Sequence, residues 1–321
     1  MSSPTQFKGV NDFGTPLVSD NLTAGLVEWS KWSFLGIGAF SNVQPNASGT
    51  YGGSLNKLRL SNTPNYARGR VWEGFRQEWI WESGVQYAYQ PIQISGVIVD
   101  NTFYPSNTSG TYAHRISYPN GQIIFNSAIS PSADVRANYS YRHVNIYSAD
   151  APWFKSLMLN SFRADNPQFL QEGSGAWSIL AQNRVQLPAV FIHAVPRFNY
   201  IGMQLGGGQY LFQDALIMVL AETAFERNQI SDIYKYQNEK TIALIDRNIM
   251  ASQNRFPLTP QGMLASGATC YPSWIRGSGE GGFFYRNCRI ASAAGDIFET
   301  DMTNLYGAVV RYTCEIPLWE I

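Results

Sequence analysis

The last third of the chain alternates apolar runs with short polar connections, in an order that predicts a sheet. The near-continuous apolar run Tyr210–Ala221 (YLFQDALIMVLA) predicts a strand that is buried on both faces or lies at a subunit contact. It follows two strand segments, Pro188–Val195 and Phe198–Leu205. Glycines 206–208 favour a hairpin connection because glycine readily adopts the positive φ of tight turns. We therefore predict a long β-hairpin here.

The sequence after this hairpin predicts a covering helix and further strands. Thr223–Gln237 carries charged side chains on one side and apolar ones on the other, which indicates an amphipathic helix lying on the sheet. A short strand is expected near Thr241–Asp246, and closing strands at Phe283–Ala291 and Leu305–Leu318. Together these elements predict an α+β fold, with a mixed sheet covered by helices.

Two further helices are predicted outside that region. Asn21–Phe40 has apolar side chains near helical spacing, with Asp20 or Asn21 as its N-cap. Gly36 and Gly38 weaken this helix and mark its end. Trp153–Phe162 (WFKSLMLNSF) also reads as a helix.

Residues 91–150 have a different pattern, of short alternating runs separated by turn residues. The Asn120-Gly121 step between apolar runs is a strong hairpin signal, and Asp100-Asn101 marks another turn. Several short strands at this spacing indicate a small all-β sandwich. We therefore predict an inserted β domain at 91–150, within an α+β core formed by 1–90 and 151–321.

The segment Arg70–Tyr89 is dense in tryptophan, and its pattern is ambiguous. Trp79 and Trp81 alternate as on a strand, whereas Trp72, Phe75 and Trp79 could share one helical face. Trp72, Trp79 and Trp81 form a candidate outer contact or glycan-stacking surface. The alternative is packing in a core or an interface.

Composition limits the partners of the protein. The 321 residues hold 23 basic and 23 acidic side chains, and charged residues make up 14% of the chain, against roughly 25% in soluble domains. There is no basic run for nucleic-acid binding, no apolar stretch near the roughly 20 residues of a membrane span, and no secretory pattern at the N-terminus. Aromatic residues also reach 14%, which fits either a surface covered by neighbours or a β-rich fold.

No residue pattern predicts catalysis or cofactor binding. The three cysteines, Cys270, Cys288 and Cys314, lack metal-ligand spacing and are expected to be reduced thiols. His193 lies within an apolar strand, where a packing role is expected. None of the common hydrolase or phosphate-loop motifs is found. The sequence thus predicts a non-enzymatic protein without catalytic residues, cofactor or metal.

A resemblance to a known family rests on 202–236 (GMQLGGGQYLFQDALIMVLAETAFERNQISDIYKY) and 304–321 (NLYGAVVRYTCEIPLWEI), with a smaller contribution from 26–40. In the order of their elements these stretches resemble the tail terminator and related neck proteins of tailed bacteriophages. The resemblance implies a ring, expected to be hexameric, that ends the tail tube or joins tail to head. It also implies tube, sheath or connector proteins as partners, DNA passing through the ring, and assembly into the virion in the host cytoplasm.

From this resemblance we expect the hairpin and the final strand to form the contact between subunits. The candidate interface residues are Phe198, Tyr200, Tyr210, Phe212, Ile217, Val219, Tyr312 and Trp319. The main alternative is an adhesin that binds host glycans through the β domain and the tryptophan-rich segment. A glycan-degrading enzyme of the tail tip is a further alternative.

Overall fold

A computed structural model describes residues 18–44, 55–63, 65–149, 185–202, 208–276, 282–298 and 305–318. These ranges form a strand-rich α+β fold with a mixed sheet, which confirms the predicted class. The predicted helix Trp153–Phe162 and the candidate interface residue Trp319 lie outside the described residues.

Four α-helices are present in these ranges. They are α1 (Val18–Gly36), α2 (Ala224–Lys235), α3 (Arg247–Ser252) and α4 (Tyr271–Trp274). The opening helix ends at Gly36, in agreement with the glycine signal, but its predicted cap is wrong because Asp20 and Asn21 lie inside its first turns. Buried Asn21 instead accepts a hydrogen bond from the Arg247 backbone N–H (3.2 Å), which links α1 to α3.

The predicted amphipathic helix is confirmed as α2, and its start follows from local chemistry. The Thr223 side chain accepts a hydrogen bond from the Glu226 N–H (3.2 Å), while the Glu226 carboxylate accepts one from the Thr223 hydroxyl (3.1 Å). A threonine cap followed three residues later by glutamate satisfies free N–H groups of the first turn.

Nine short strands precede the main sheet: β1 (Phe40–Val43), β2 (Arg59–Leu60), β3 (Val71–Glu73), β4 (Gly96–Val99), β5 (Thr102–Pro105), β6 (His114–Ser117), β7 (Gln122–Phe125), β8 (Val135–Arg136) and β9 (Tyr139–Arg142). They form sheets of order β2-β3-β7-β6 and β5-β4-β8, and the pair β1-β9. The predicted turns are present, with positive φ at Asp100, Asn101 and Gly121.

This β unit differs from the predicted 91–150 domain at both ends. One hydrophobic cluster joins Leu58 and Trp72 to Val97 and Tyr139, so residues before 91 share its core. The β2-β3 pair also extends the sheet of β7. At the other end, the next strand, Asn145–Ser148, belongs to the main sheet. Turn signals locate hairpins well, but they do not indicate which distant strands will pair.

Six strands form the main sheet: β10 (Asn145–Ser148), β11 (Ala189–Gly202), β12 (Gln209–Ala221), β13 (Thr241–Ile245), β14 (Phe284–Phe298) and β15 (Tyr306–Leu318). Their order is β10-β11-β12-β15-β14-β13, and only β10 and β11 are parallel. The two segments predicted before the hairpin turn form one strand, β11, with a bulge between Ala194 and Phe198. α1 and α2 pack on one face of this sheet and bury the largest hydrophobic cluster.

Candidate subunit interface

The predicted interface strand β12 has one buried and one open face. Leu211, Ala215, Ile217 and Val219 alternate toward the helices and are fully buried. Tyr312 on β15 is also fully buried, and its hydroxyl donates to the Tyr234 carbonyl of α2 (2.7 Å). Ile217, Val219 and Tyr312 therefore cannot contact another subunit, and their predicted interface role is wrong. Helices that cover this face give these residues an intramolecular partner.

The other predicted residues are distributed between the two faces. Tyr200 on β11 is partly buried and packs against the helix-side cluster. Phe198 is paired with Gln213 through its backbone, and its side chain is outside the description. Tyr210 and Phe212 are half-buried and lie on the side of β12 opposite the helices. Of the predicted residues whose side chains are described, only these two lie on the open side of the sheet.

We call this side the open face. Its centre consists of the alternate residues of β12 and their partners on β15: Tyr210, Phe212, Asp214, Leu216 and Met218, with Pro317, Glu315, Thr313, Arg311 and Val309. Leu216 is 36% exposed even though it lies in the middle of a central strand. Near Phe191 and Leu220 a smaller cluster, which includes Val185 and Leu187, covers the face.

Ion pairs lie among the apolar side chains of the open face. Arg311 pairs with Asp214, which also accepts a hydrogen bond from the Thr313 hydroxyl (3.0 Å). Asp214 lies between Phe212 and Leu216 on this face of β12, and Arg311 is the strand partner of Leu216. Arg289 on β14 bridges Glu315 (2.8 Å) and Glu239. The open face therefore combines half-buried and exposed apolar side chains with ion pairs.

The tryptophan-rich segment does not provide an outer surface. Trp72 is 3% exposed and Trp79 is 1% exposed, and Trp79 stacks on Tyr139 with ring centroids 4.3 Å apart. Trp81 is partly buried between the two large clusters. The hypothesis of a glycan surface on these rings is therefore wrong: these rings pack the protein interior. Trp72 lies on β3, whereas Trp79 makes only an isolated strand bridge to Tyr141, so neither predicted geometry describes the whole segment.

A buried ionic cluster joins the β unit to the helix-covered sheet. Arg142 of β9 pairs with Glu82, and both side chains are 5% exposed. The Arg142 backbone N–H also donates to the Glu78 carbonyl (3.3 Å). On α1, Lys31 pairs with Glu28 (3.1 Å), and although burial disfavours its charge, the nearby carboxylates raise the pKa of Lys31.

Glu78 is the surplus acid of this cluster. Three carboxyl groups, from Glu28, Glu78 and Glu82, face the two cations Lys31 and Arg142. Burial raises the pKa of Glu78 above its ordinary value, while Lys31 and Arg142 lower it in part. Glu78 also has positive φ (50°), an unfavourable conformation for a residue with a side chain.

Replacing Glu78 with glutamine should stabilise the protein at neutral pH. Because the pKa of Glu78 is higher in the folded than in the unfolded state, ionisation of Glu78 destabilises the fold. The free energy of unfolding is therefore highest in acid, where Glu78 is protonated in both states. It falls as the pH rises from the unfolded-state pKa to the folded-state pKa. The variant should thus exceed the parent by a few tenths to about 1 kcal/mol at pH 8 and match it near pH 4. Urea unfolding at both pH values measures this. Glu28→Gln, which removes an ion-paired carboxylate, should give no such gain.

The described residues contain no group of three or more His, Cys, Asp or Glu side chains that could hold a metal ion. Burial lowers the pKa of His114 and of His143, which bond respectively to the Tyr112 carbonyl (2.9 Å) and the Ser41 hydroxyl (2.7 Å). A hydrogen bond with Cys314, together with burial, raises the pKa of Cys288 well above that of an ordinary thiol. These shifts favour a neutral imidazole at His114 and His143 and a protonated thiol at Cys288.

Sequence reasoning missed both the ion pairs of the open face and the buried ionic cluster. An isolated charge within an apolar strand was the available signal, as for Asp214 in β12 and Arg311 in β15. The partners could not be named, because Arg142 and Glu82 are 60 residues apart and Arg311 and Asp214 are 97 apart.

No protein-family model matches the chain, and no curated protein matches it significantly. Among the described helices, none is long and apolar enough to cross a membrane.

Proposed function

We propose that this protein is a non-enzymatic structural subunit of a tailed-phage particle. Its copies associate into a ring, hexameric in the expected form, at the neck. There the ring ends the tail tube or joins the tail to the head. The observation that carries this proposal is the open face, where apolar side chains of β12 and nearby ion pairs lie on the side of the sheet opposite the helices.

The order of the elements supports the neck assignment. A long hairpin (β11 and β12) is followed by a covering helix (α2), a short strand (β13) and two closing strands (β14 and β15). This is the order on which the resemblance to tail terminators and neck proteins rests. The β unit that precedes β10 is additional, and we propose that it decorates the ring or contacts a neighbouring sheath or collar.

A ring also fits the physical needs of a tail end. Head-to-tail contacts whose rotation closes produce a ring with two different surfaces. One surface can bind the growing edge of a tube while the other presents no further binding edge. The role requires neither a catalytic group nor a cofactor, and DNA needs only a central passage.

The test of the association surface is Leu216→Asp. An added carboxylate at this exposed apolar position, beside the existing Asp214–Arg311 pair, should prevent close packing of a second subunit. Because Leu216 is 36% exposed, the folded monomer should lose little stability, within about 1 kcal/mol. Mass measurement in solution, with negative-stain images of the same sample, should show rings for the parent and single or paired copies for the variant.

Phe225→Asp is the matched control. Phe225 is 75% exposed but lies on α2, on the opposite side of the sheet. The Phe225→Asp variant should therefore still form rings. Intact rings from Leu216→Asp would refute a contact through the open face. A trimer that binds cell-wall polysaccharide would instead support the adhesin.

A further inference from the structure

Among the described residues, the outer edge of β14 has no strand partner along its second half. Its neighbour β13 pairs with the first part of β14, and the last contacts join Ile290 to the backbone of Glu239 and Lys240 (both 2.8 Å). From Ala291 to Phe298, no described strand pairs with the outer side of β14. The strand nevertheless continues for this whole length, because its inner side pairs with β15.

The register shows which backbone groups point outward. The Ile290 N–H and C=O bond outward to Lys240 and Glu239, so the preceding residue, Arg289, faces Glu315 on β15. Counting back from Glu315, every second residue of β15 faces β14, and these residues are the partners of 292, 294, 296 and 298. The N–H and C=O of Ala293, Gly295 and Ile297 therefore point away from β15, where no described strand pairs with them. Ile297 beside them is 56% exposed.

At the other end of the sheet, the edge along β11 is protected against pairing, in contrast to the edge of β14. On β11 beyond its pairing with β10, the Thr23 hydroxyl accepts from the Ala194 N–H (3.1 Å) and the Asn199 side chain accepts from the Tyr200 N–H (2.9 Å). A bulge follows Ala194, and Pro196 has no N–H to offer. Prolines, bulges and capped donors are the devices that keep edge strands from pairing. Within the described residues, β14 has none of them between Ser292 and Phe298.

We propose that this edge of β14 pairs with the same edge of a second copy. A two-fold axis at Gly295 would run the two strands antiparallel, with Ala293 opposite Ile297 of the partner subunit. The outward groups then exchange six N–H···O=C bonds, and the sheet continues across both copies. The strip from 292 to 298 is centred on Gly295, so the two uncapped stretches match in length.

Side chains on both faces suit this register. On the helix side each exposed isoleucine at 297 would lie against the small Ala293 of the other copy. Gly295 at the axis leaves room for the Lys235 side chain of α2, whose ammonium pairs with Asp232 (3.2 Å). On the other side Asp296 would oppose Ala294, so no two like charges face each other, which would destabilise the pair. The contact uses the edge of the sheet, whereas the proposed ring uses its open face, so neither depends on the other.

The first test compares Ile297→Pro with Ile297→Thr. Proline removes an outward N–H without breaking the bonds to β15, since the Ile297 N–H does not point there. Threonine keeps this N–H and favours strands, while it also reduces the apolar surface. Proline should raise the dissociation constant of the two-fold pair about tenfold or more, because each copy loses a donor; threonine should have a smaller effect.

The second test fixes the register by cross-linking. Residues 294 and 296 of opposite copies would be neighbours at a non-hydrogen-bonded position, where side chains approach closely enough for a disulfide. Copies carrying Ala294→Cys mixed with copies carrying Asp296→Cys should cross-link under mild oxidation, and neither variant should do so alone. The cross-link should persist when Leu216→Asp is added, because that change affects only the open face.

Equal effects of proline and threonine at 297, or no cross-link in the mixed sample, would overturn the proposal. If Ile297→Pro does not fold, the cross-linking experiment alone tests the proposal. Its two cysteine substitutions should not disturb the fold, because residues 294 and 296 are both exposed. If the cysteine variants cross-link but the parent protein forms no rings, the open-face contact alone would be refuted. Loss of the cross-link with rings retained would refute the β14 pair only.

Discussion

Replacing Arg142 with methionine should destabilise the protein by about 3–5 kcal/mol, the cost of leaving a buried charge without its partner. Arg142 and Glu82 are each 5% exposed, so water cannot solvate the remaining carboxylate. The lost guanidinium also donates to the Lys31 carbonyl of α1 (3.5 Å). Urea unfolding at neutral pH should show the loss as a lower midpoint.

The double variant Arg142→Met with Glu82→Leu is the control. With both charges removed, the desolvation penalty disappears together with the attraction, and most of the lost stability should return. A double variant as unstable as the single one would show that Arg142 acts by packing rather than by charge. A loss under about 1 kcal/mol for Arg142→Met would show that water reaches the pair.

Ile217→Asp should unfold the protein or cost more than about 4 kcal/mol, since it introduces an unpaired charge into the helix-covered core. Ile217 is fully buried, and its strand partners are Ile192 and Val310, which are also fully buried. Circular dichroism and thermal unfolding should show this loss directly. The adjacent Leu216→Asp is its matched comparison, with the same chemistry on the same strand but on the open face.

Nearly equal stability of these two variants would contradict the assignment of faces on β12. Different outcomes would separate stability from association, because Leu216→Asp should leave the fold intact and change only the mass of the particle. Loss of rings in an Ile217→Asp sample would not identify an interface, because that variant is expected to lose its fold.

The face of β12 could not be predicted from its sequence. In YLFQDALIMVLA nearly every residue is apolar, so the period-two signal that distinguishes the two sides is weak. The residues predicted at the interface therefore included Ile217 and Val219, which point into the core. Asp214 is the local clue to the open side, because an ionised side chain rarely points into a core without a partner.

Several other elements, by contrast, could be predicted from the residues at their own ends. The Thr223–Glu226 capping box marks the start of α2, and Asp100-Asn101 marks a turn with positive φ. Elements whose position depends on distant partners were not predictable. β10 joins β11 across about 40 residues, and β3 pairs with β7 about 50 residues downstream. The tryptophan-rich segment belongs to the same class, since its burial depends on β9 and β7.

The attachment of α1 also determines the order in which the chain can fold during synthesis. This helix is made first, yet it packs against β13 and is bonded through Asn21 to Arg247, 226 residues later. At 5–20 residues per second, translation takes on the order of 10–45 s to cover that interval. Strands β1 to β9 leave the ribosome long before then and hold one hydrophobic cluster of their own. A nascent chain should therefore contain a compact β unit and a helix whose apolar side is not yet covered by the main sheet.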